Sequence, residues 1–308
     1  MKVSHLLSCL AAGLALAACR DEGPTFVETA PQAYVRFVNA SPDSPLVTAR
    51  FIDRVENMFT WDRVGFRGNS GNYVAVNAGA RHLRVFLAGQ SGNATTVDSA
   101  STVLLDTTGI TLQPQTYYTV LMTGRVTPRR GTAPNNASVV VFTDTLPAAS
   151  SIAANQILVR AYHAIDAIGP VSVTIQSNVA GAVPAATIPS VAFRNRSAYV
   201  PLPVLTGTEL YTFTAQPAAG AAVVFTPNVP GQAFTPASLA GGSALDPVAG
   251  VRQGRSVLSA VVFPAVIRGT PAEPAPLPAN PSAAQVATYN AFFVPFIDLL
   301  PDQAPPRP

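Results

Sequence analysis

The chain has 308 residues, 48% of them hydrophobic and only 11% charged, with a formal net charge of +3. Charged residues fall well below the usual quarter, and the arginines are interspersed with acids, so the basic stripe of a nucleic-acid binder is excluded. Lys2 is the only lysine, and a chain of this size has room for two domains with cores of their own.

The first element in chain order is an export signal. Lys2 precedes an apolar run over 6–16 that is too short to span a bilayer, and the small residues Ala17 and Ala18 follow it. Leu16-Ala17-Ala18-Cys19 resembles the lipobox of bacterial lipoproteins. That resemblance implies removal of the signal peptide 1–18, a diacylglyceryl thioether on Cys19 and, usually, an acylated new amino terminus. Each buried methylene of such an anchor contributes about 0.8 kcal/mol. Arg20 stands where aspartate would retain a lipoprotein in the inner membrane, so the resemblance implies the outer membrane of a two-membrane cell envelope. Cys9 leaves with the signal and Cys19 carries lipid, so no disulfide is expected. Residues 19–30 read as a tether.

From there on, apolar residues come in short alternating runs bounded by Gly, Pro, Asn and Ser, the pattern of strands and turns. In the first half these are "YVRFVNAS", "VTARFID", "RHLRVFLAG", "STVLLD", "TYYTVLMTG" and "SVVVFTD". In the second they are "ILVRAYHA", "VSVTIQS", "LYTFTAQ", "SVLSAVVF" and "AFFVPFIDLL". No amphipathic helix is predicted. The fold class is therefore all-β, a sandwich or barrel.

The two halves repeat. "NASVVVFTDTLP" (136–147) and "NAFFVPFIDLLP" (290–301) share seven of twelve residues at identical spacing. "VRFVNASPDSPLVTARF" (35–51) has a counterpart in "VRAYHAIDAIGPVSVTI" (159–175), and "GFRGNSGNYVAV" (65–76) in "AFRNRSAYVPL" (192–202). Because the order of matches is the same, two tandem domains are expected at 31–150 and 155–303. "PAASSIAANQ" (147–156) is the expected linker, with a Pro/Ala-rich loop near 269–285 inside the second domain.

"VRFVNASPDSPLVTARFID", "NYVAVNAGARHLRVFLAG" and "LQPQTYYTVLMTG" together resemble the bacterial domain of unknown function 4397, over nearly all of the first domain. In the second, "HAIDAIGP" and "GRSVLSAVVF" keep the framework loosely. The resemblance implies immunoglobulin-like β-sandwiches, often in tandem on secreted and surface-attached proteins, and brings no catalytic residue.

No catalytic set emerges from the residues themselves. His82 and His163 lie outside any zinc-ligand spacing, "GQSGN" around Ser91 is a loop and not a nucleophile elbow, and no phosphate-cradling glycine motif occurs. Asp43 could join Asp53 or Asp62 in a calcium site, but Pro-Asp-Ser-Pro reads more naturally as a turn, so no metal or cofactor is expected. Strand alternation puts Asp144 on the face of Phe142, and Asp298 on that of Phe296. Each is expected to pair with the first-strand arginine of its own half, Arg36 with Asp144 and Arg160 with Asp298. Arg67 over Tyr73 and Arg194 over Tyr199 are expected cation-π pairs. Trp61, Phe66, Tyr117 and Tyr118 are either core or a contact patch.

The function expected from all this is non-enzymatic: a lipid-anchored cell-envelope protein of binding, adhesion or structural type. Its partner would be an envelope protein, a matrix component or a glycan. The alternative is an envelope hydrolase or small-ligand-binding protein whose site lies between the two domains and gathers Asp, Arg or His from both.

Overall fold

The computed structural model describes residues 30–53, 61–88, 102–127, 136–166, 168–177, 186–206, 209–217 and 249–303. Internal contacts set Met1–Pro31 apart from Gln32–Pro308, and the fold below is that of the second unit.

The first half carries β1 (Gln32–Asn39), β2 (Val47–Phe51), β3 (Trp61–Val64), β4 (Val74–Asn77), β5 (Gly79–Leu87), β6 (Val103–Leu112), β7 (Tyr117–Thr123) and β8 (Ser138–Asp144). They form two four-stranded sheets, in the orders β4-β1-β7-β8 and β3-β2-β5-β6. The second half carries β9 (Gln156–His163), β10 (Val171–Ser177), β11 (Ala186–Val191), β12 (Asn195–Arg196), β13 (Val200–Pro203), β14 (Tyr211–Pro217), β15 (Val257–Phe263) and β16 (Phe296–Gln303). Its sheets run β12-β9-β15-β16, with β13 also on β9, and β11-β10-β14. The chain is all-β and β-sandwich-like. In each half the first strand pairs in parallel with the last but one, β1 with β7 and β9 with β15, while the other pairings are antiparallel.

Equivalent turns repeat down to the backbone. Gln115 (φ 55°) donates its N–H to the Gln32 carbonyl, and Arg255 (φ 64°) to that of Gln156, both at 2.7 Å. These are non-glycine residues in the left-handed region, a costly conformation that both halves adopt at the same place.

Period-two alternation assigns the faces. On β1, Ala33, Val35 and Phe37 enter a core shared with Trp61, Leu83, Val85 and Val120. On β9, Ile157, Val159 and Ala161 enter the corresponding core with Val173, Ile188, Phe213 and Ala260. The opposite faces are buried as well: Val38, Leu121, Tyr162, Val261, Phe263 and Leu300 form a third apolar cluster that joins the halves, with Phe142 and Phe296 against it. Burial on both faces is why β15 reads VLSAVVF without alternation.

One element joins those expected and one expectation is corrected. A helix exists, α1 (Ala283–Ala291), inserted between β15 and β16; its sequence AAQVATYNA has no apolar stripe and none of its residues is buried. It is held by a capping box instead, Ser282 accepting from Gln285 N–H and the Gln285 side chain accepting from Ser282 N–H. The correction concerns the repeat. Thr119 and Ser259 occupy equivalent places, opposite Arg36 and Arg160. Thr119 faces Phe142 on β8 and Ser259 faces Leu300 on β16, so the structural counterpart of Asp144 is Asp302 and not Asp298.

Candidate functional site

Charged side chains from both halves converge where the two inner sheets meet. Arg36 projects from β1 away from its own core. Its Nε donates to Thr119 Oγ1 at 2.8 Å and its Nη1 to the Pro301 carbonyl at 3.1 Å. Its Nη2 lies 2.6 Å from Asp302 Oδ1. Arg160 projects likewise from β9: Nε donates to Ser259 Oγ at 2.9 Å, and Nη2 lies 2.8 Å from Asp144 Oδ1 and 3.0 Å from Asp302 Oδ2. Each arginine thus reaches a carboxylate of the other half.

The rest of the network follows the same pseudo-twofold plan. Tyr73, just before β4, donates to Asp144 Oδ2 at 2.9 Å, and Tyr199, just before β13, donates to Asp302 Oδ2 at 2.6 Å. The Arg36 guanidinium stands 4.8 Å over the Tyr73 ring and that of Arg160 stands 4.7 Å over Tyr199. Thr119 Oγ1 donates to Asp144 at 2.5 Å and Ser259 Oγ to Asp302 at 2.6 Å. The symmetry breaks at Tyr162, whose hydroxyl donates to Asp144 Oδ1 at 2.8 Å where the first half has Val38. It also breaks at Arg196, which adds a 3.0 Å bond to Asp144 from the rim.

The side chains of Arg36, Asp144 and Asp302 are fully buried and that of Arg160 is 1% exposed. Burial pulls both guanidinium groups down, but Asp302 and its neighbours overcome it and hold them above the ordinary arginine value. Burial raises the phenols of Tyr73, Tyr162 and Tyr199, with Asp302 adding to the shift in all three and Asp144 in Tyr73 and Tyr162, that of Tyr162 to about 12. Asp144 accepts from Tyr73, Thr119, Tyr162 and Arg196 besides facing Arg160, which saturates its lone pairs. Such a carboxylate is a joint, spent on its own protein.

The expected pairs Arg36–Asp144 and Arg160–Asp298 are therefore corrected to the crossed pairs Arg36–Asp302 and Arg160–Asp144, with Arg160 also paired to Asp302 of its own half. The Asp298 carboxyl instead accepts from Leu299 N–H at 2.9 Å and is raised by burial, with Arg67 opposing the shift. Asp298 and Asp302 share a strand face, so alternation alone does not choose between them; the register of β16 on β15 does. Tyr162, Thr119 and Ser259 carried no signal in the sequence beyond polar residues in apolar runs.

The expected cation-π pairs are also reassigned. Tyr73 and Tyr199 sit under Arg36 and Arg160, while Arg67 (φ 62°) and Arg194 (φ 59°) leave equivalent turns in the left-handed conformation and cross to the opposite half. Arg67 donates to the carbonyls of Pro264 (3.2 Å), Ala291 (3.2 Å), Phe292 (3.3 Å) and Val294 (2.5 Å). Its guanidinium stands 5.2 Å from the rings of both Phe66 and Phe296. Burial brings its pKa down to about 10, with Asp298 acting the other way. Arg194 donates to the Asn136 carbonyl at 2.5 Å and stacks on Phe193.

The remaining sequence candidates do not join this cluster. Cys19 and Ser91 lie outside the described residues. His82 bonds Asp106 on the surface, a contact that, first among its causes, holds the Asp106 carboxyl below the usual carboxylate range. His163 is buried beside Phe193 and the Gly169 carbonyl. Asp43 ties the turn after β1 to the exit of β7, accepting from Val126 N–H at 2.9 Å and Thr127 N–H at 3.0 Å. Asp62 accepts from Thr48 and Asp53 from Arg81, and no group of three metal-ligating side chains gathers among the described residues. Trp61 and Tyr118 are core, Phe66 packs edge-on against Phe263 at the joint, and the half-buried Tyr117 stacks on Tyr34.

Residues 33–174, a little under half of the chain, match the family model described as Domain of unknown function (DUF4397). The matched stretch runs from β1 into β10 and contains Arg36, Asp144 and Arg160. No curated protein matches the chain. Among solved structures, a leucine-rich repeat protein from Bacteroides thetaiotaomicron is similar over 66% of this chain and 24% of that one, at 12% identity and a TM-score of 0.19. The chain thus spans about a quarter of that protein's length, and a likeness so low carries no argument about fold or function.

Proposed function

We propose that this is a lipid-anchored cell-envelope protein of the outer membrane that acts as a non-enzymatic binding or structural element, presenting two sandwiches as one stiff unit to an envelope protein, matrix or glycan. The observation that carries this reading is the crossed pairing of Arg36 with Asp302 and Arg160 with Asp144. Burying four charges between two halves is rarely the most stabilising way to fill a joint, and its best-attested use is to specify one arrangement. A fixed arrangement suits a scaffold. The lipid anchor rests on Leu16-Ala17-Ala18-Cys19.

The alternative, a hydrolase or small-ligand-binding protein with its site between the halves, asks for Asp and Arg from both sides, and these are present. They are spent on one another and on Tyr73, Tyr162 and Tyr199, which favours the scaffold. The test is labelling with radioactive palmitate in the native host, followed by capture of partners from solubilised membranes with the lipidated chain. Label lost in Cys19→Ala is expected; label retained in that variant would overturn the anchor.

A further inference from the structure

We infer that the joint is an isologous dimer interface fused into one chain, and that two copies of this protein therefore dimerise by exchanging halves across it. In an isologous contact, residue i of one body meets j of the other while j meets i. Here Arg36 meets Asp302 while Arg160, its counterpart, meets Asp144, the counterpart of Asp302; Arg160 has in addition a 3.0 Å ion pair with Asp302 of its own half, to which Arg36 shows no equivalent. Arg67 and Arg194 cross in the same reciprocal way, each onto backbone carbonyls of the opposite half. The apolar floor obeys the rule too, with Val38 and Leu121 from one side against Tyr162 and Val261 from the other.

Nothing in these contacts depends on both halves belonging to one molecule. Each half has its own buried core, and between the cores there are only residues 145–155 and the shared face. In that connection Ile152 alone is buried, and Ala149–Ser151 makes a single 3-10 turn. Such a segment spans roughly 35 Å when extended; the Ile152 and Asn155 carbonyls accept from Arg255 and Val204 of the second half, and opening the segment before Ile152 keeps those bonds. Closure within one chain has an effective concentration in the millimolar range for a short flexible link, so dilute protein is closed monomer and exchange follows refolding at high concentration.

Two full-length variants, Arg36→Asp and Asp302→Arg, carry different affinity tags. Each alone sets like charge against like charge at this place. In an exchanged heterodimer one joint regains the natural pair, and the other holds the reversed pair with the introduced arginine still facing Arg160 of its own half. Co-refolding the two is expected to give a mass of two chains by light scattering, with capture of one tag by the other at least tenfold above that between two tagged copies of either variant. Capture no greater than that control overturns the proposal. Should a variant fail to fold, two differently tagged wild-type chains replace the pair. Co-refolded chains are expected to be captured together and natively mixed chains are not, and co-refolded chains that separate cleanly overturn it.

Discussion

Arg36 on the first strand and Asp302 on the last meet at 2.6 Å with both side chains excluded from solvent. Their contact ties opposite ends of the described fold and opposite halves of the chain. Removing one member of a buried pair costs about 3–5 kcal/mol because the other charge is left without compensation. We expect Arg36→Ala and Asp302→Ala to fall in that range, and the double variant to lose clearly less than the sum. Arg36 reaches Asp144 through Thr119, so an Arg36/Asp144 cycle should couple more weakly. Urea unfolding of the three single and two double variants and the wild type measures this; equal coupling in both cycles would contradict the crossed arrangement.

Arg67 bridges from the first half to the carbonyls at the end of α1 and the turn after it. Lysine keeps the charge but not the planar fork. Arg67→Lys should lower stability by roughly 1–3 kcal/mol. Hydrogen exchange should quicken at Phe292 and Val266, whose backbones are bonded to one another, before it quickens in β9. Unchanged exchange there would show that Arg67 is not the fastening.

Burial lowers the pKa of His163 below its ordinary value near 6.5. The folded state therefore prefers the neutral ring. Its contribution is complete above about pH 6.5 and is lost as pH falls from there toward the folded pKa, because the unfolded chain binds the extra proton. His163→Gln should flatten the fall in denaturant midpoint between pH 7.5 and 5.5. An equally steep fall in that variant would assign the pH dependence elsewhere.

At the alkaline end the sign reverses. Tyr162 is raised from 10.0 to about 12, chiefly by burial and then by Asp144. The native state keeps a proton that the unfolded chain releases above pH 10, so stability declines between about pH 10 and 12. Tyrosinate absorbance should appear in two steps, exposed phenols first and those of the joint only with unfolding. Tyr162→Phe should move the alkaline transition upward. A single smooth titration in the folded protein would refute a sealed joint.

Asp43 holds the N–H groups of Val126 and Thr127 and accepts from the hydroxyl of Ser41. Asp43→Ala leaves two backbone donors without their acceptor and should cost about 1–3 kcal/mol. Calcium and chelator should give the same melting temperature in the wild type. A calcium-dependent rise that disappears in Asp43→Ala would restore the metal reading.

Strands were legible wherever one face meets a core and the other does not. β10 and β14 alternate buried with half-buried residues, and their sequences show it. α1 was not legible, because its short run of small and polar residues offers no periodic stripe and its stability lies in the Ser282 and Gln285 cap. The arginines and aspartates were picked out as partners, yet matched wrongly. Fixed spacing between 136–147 and 290–301 equates Asp144 with Asp298, whereas the ladder shifts the second strand by four residues.

What the amino-acid order determined by itself is local: alternation, turn residues, the duplication, and which strand face each charged side chain takes. Backbone sterics and the period of the pleat act over a few residues and are written there. Which carboxylate each arginine meets was decided only by the packing of one inner sheet on the other. That choice depends on pairing register and on desolvation, and for Arg36 it involves segments more than 200 positions away, as with Ser259, 223 apart in the chain and hydrogen-bonded to it in the joint.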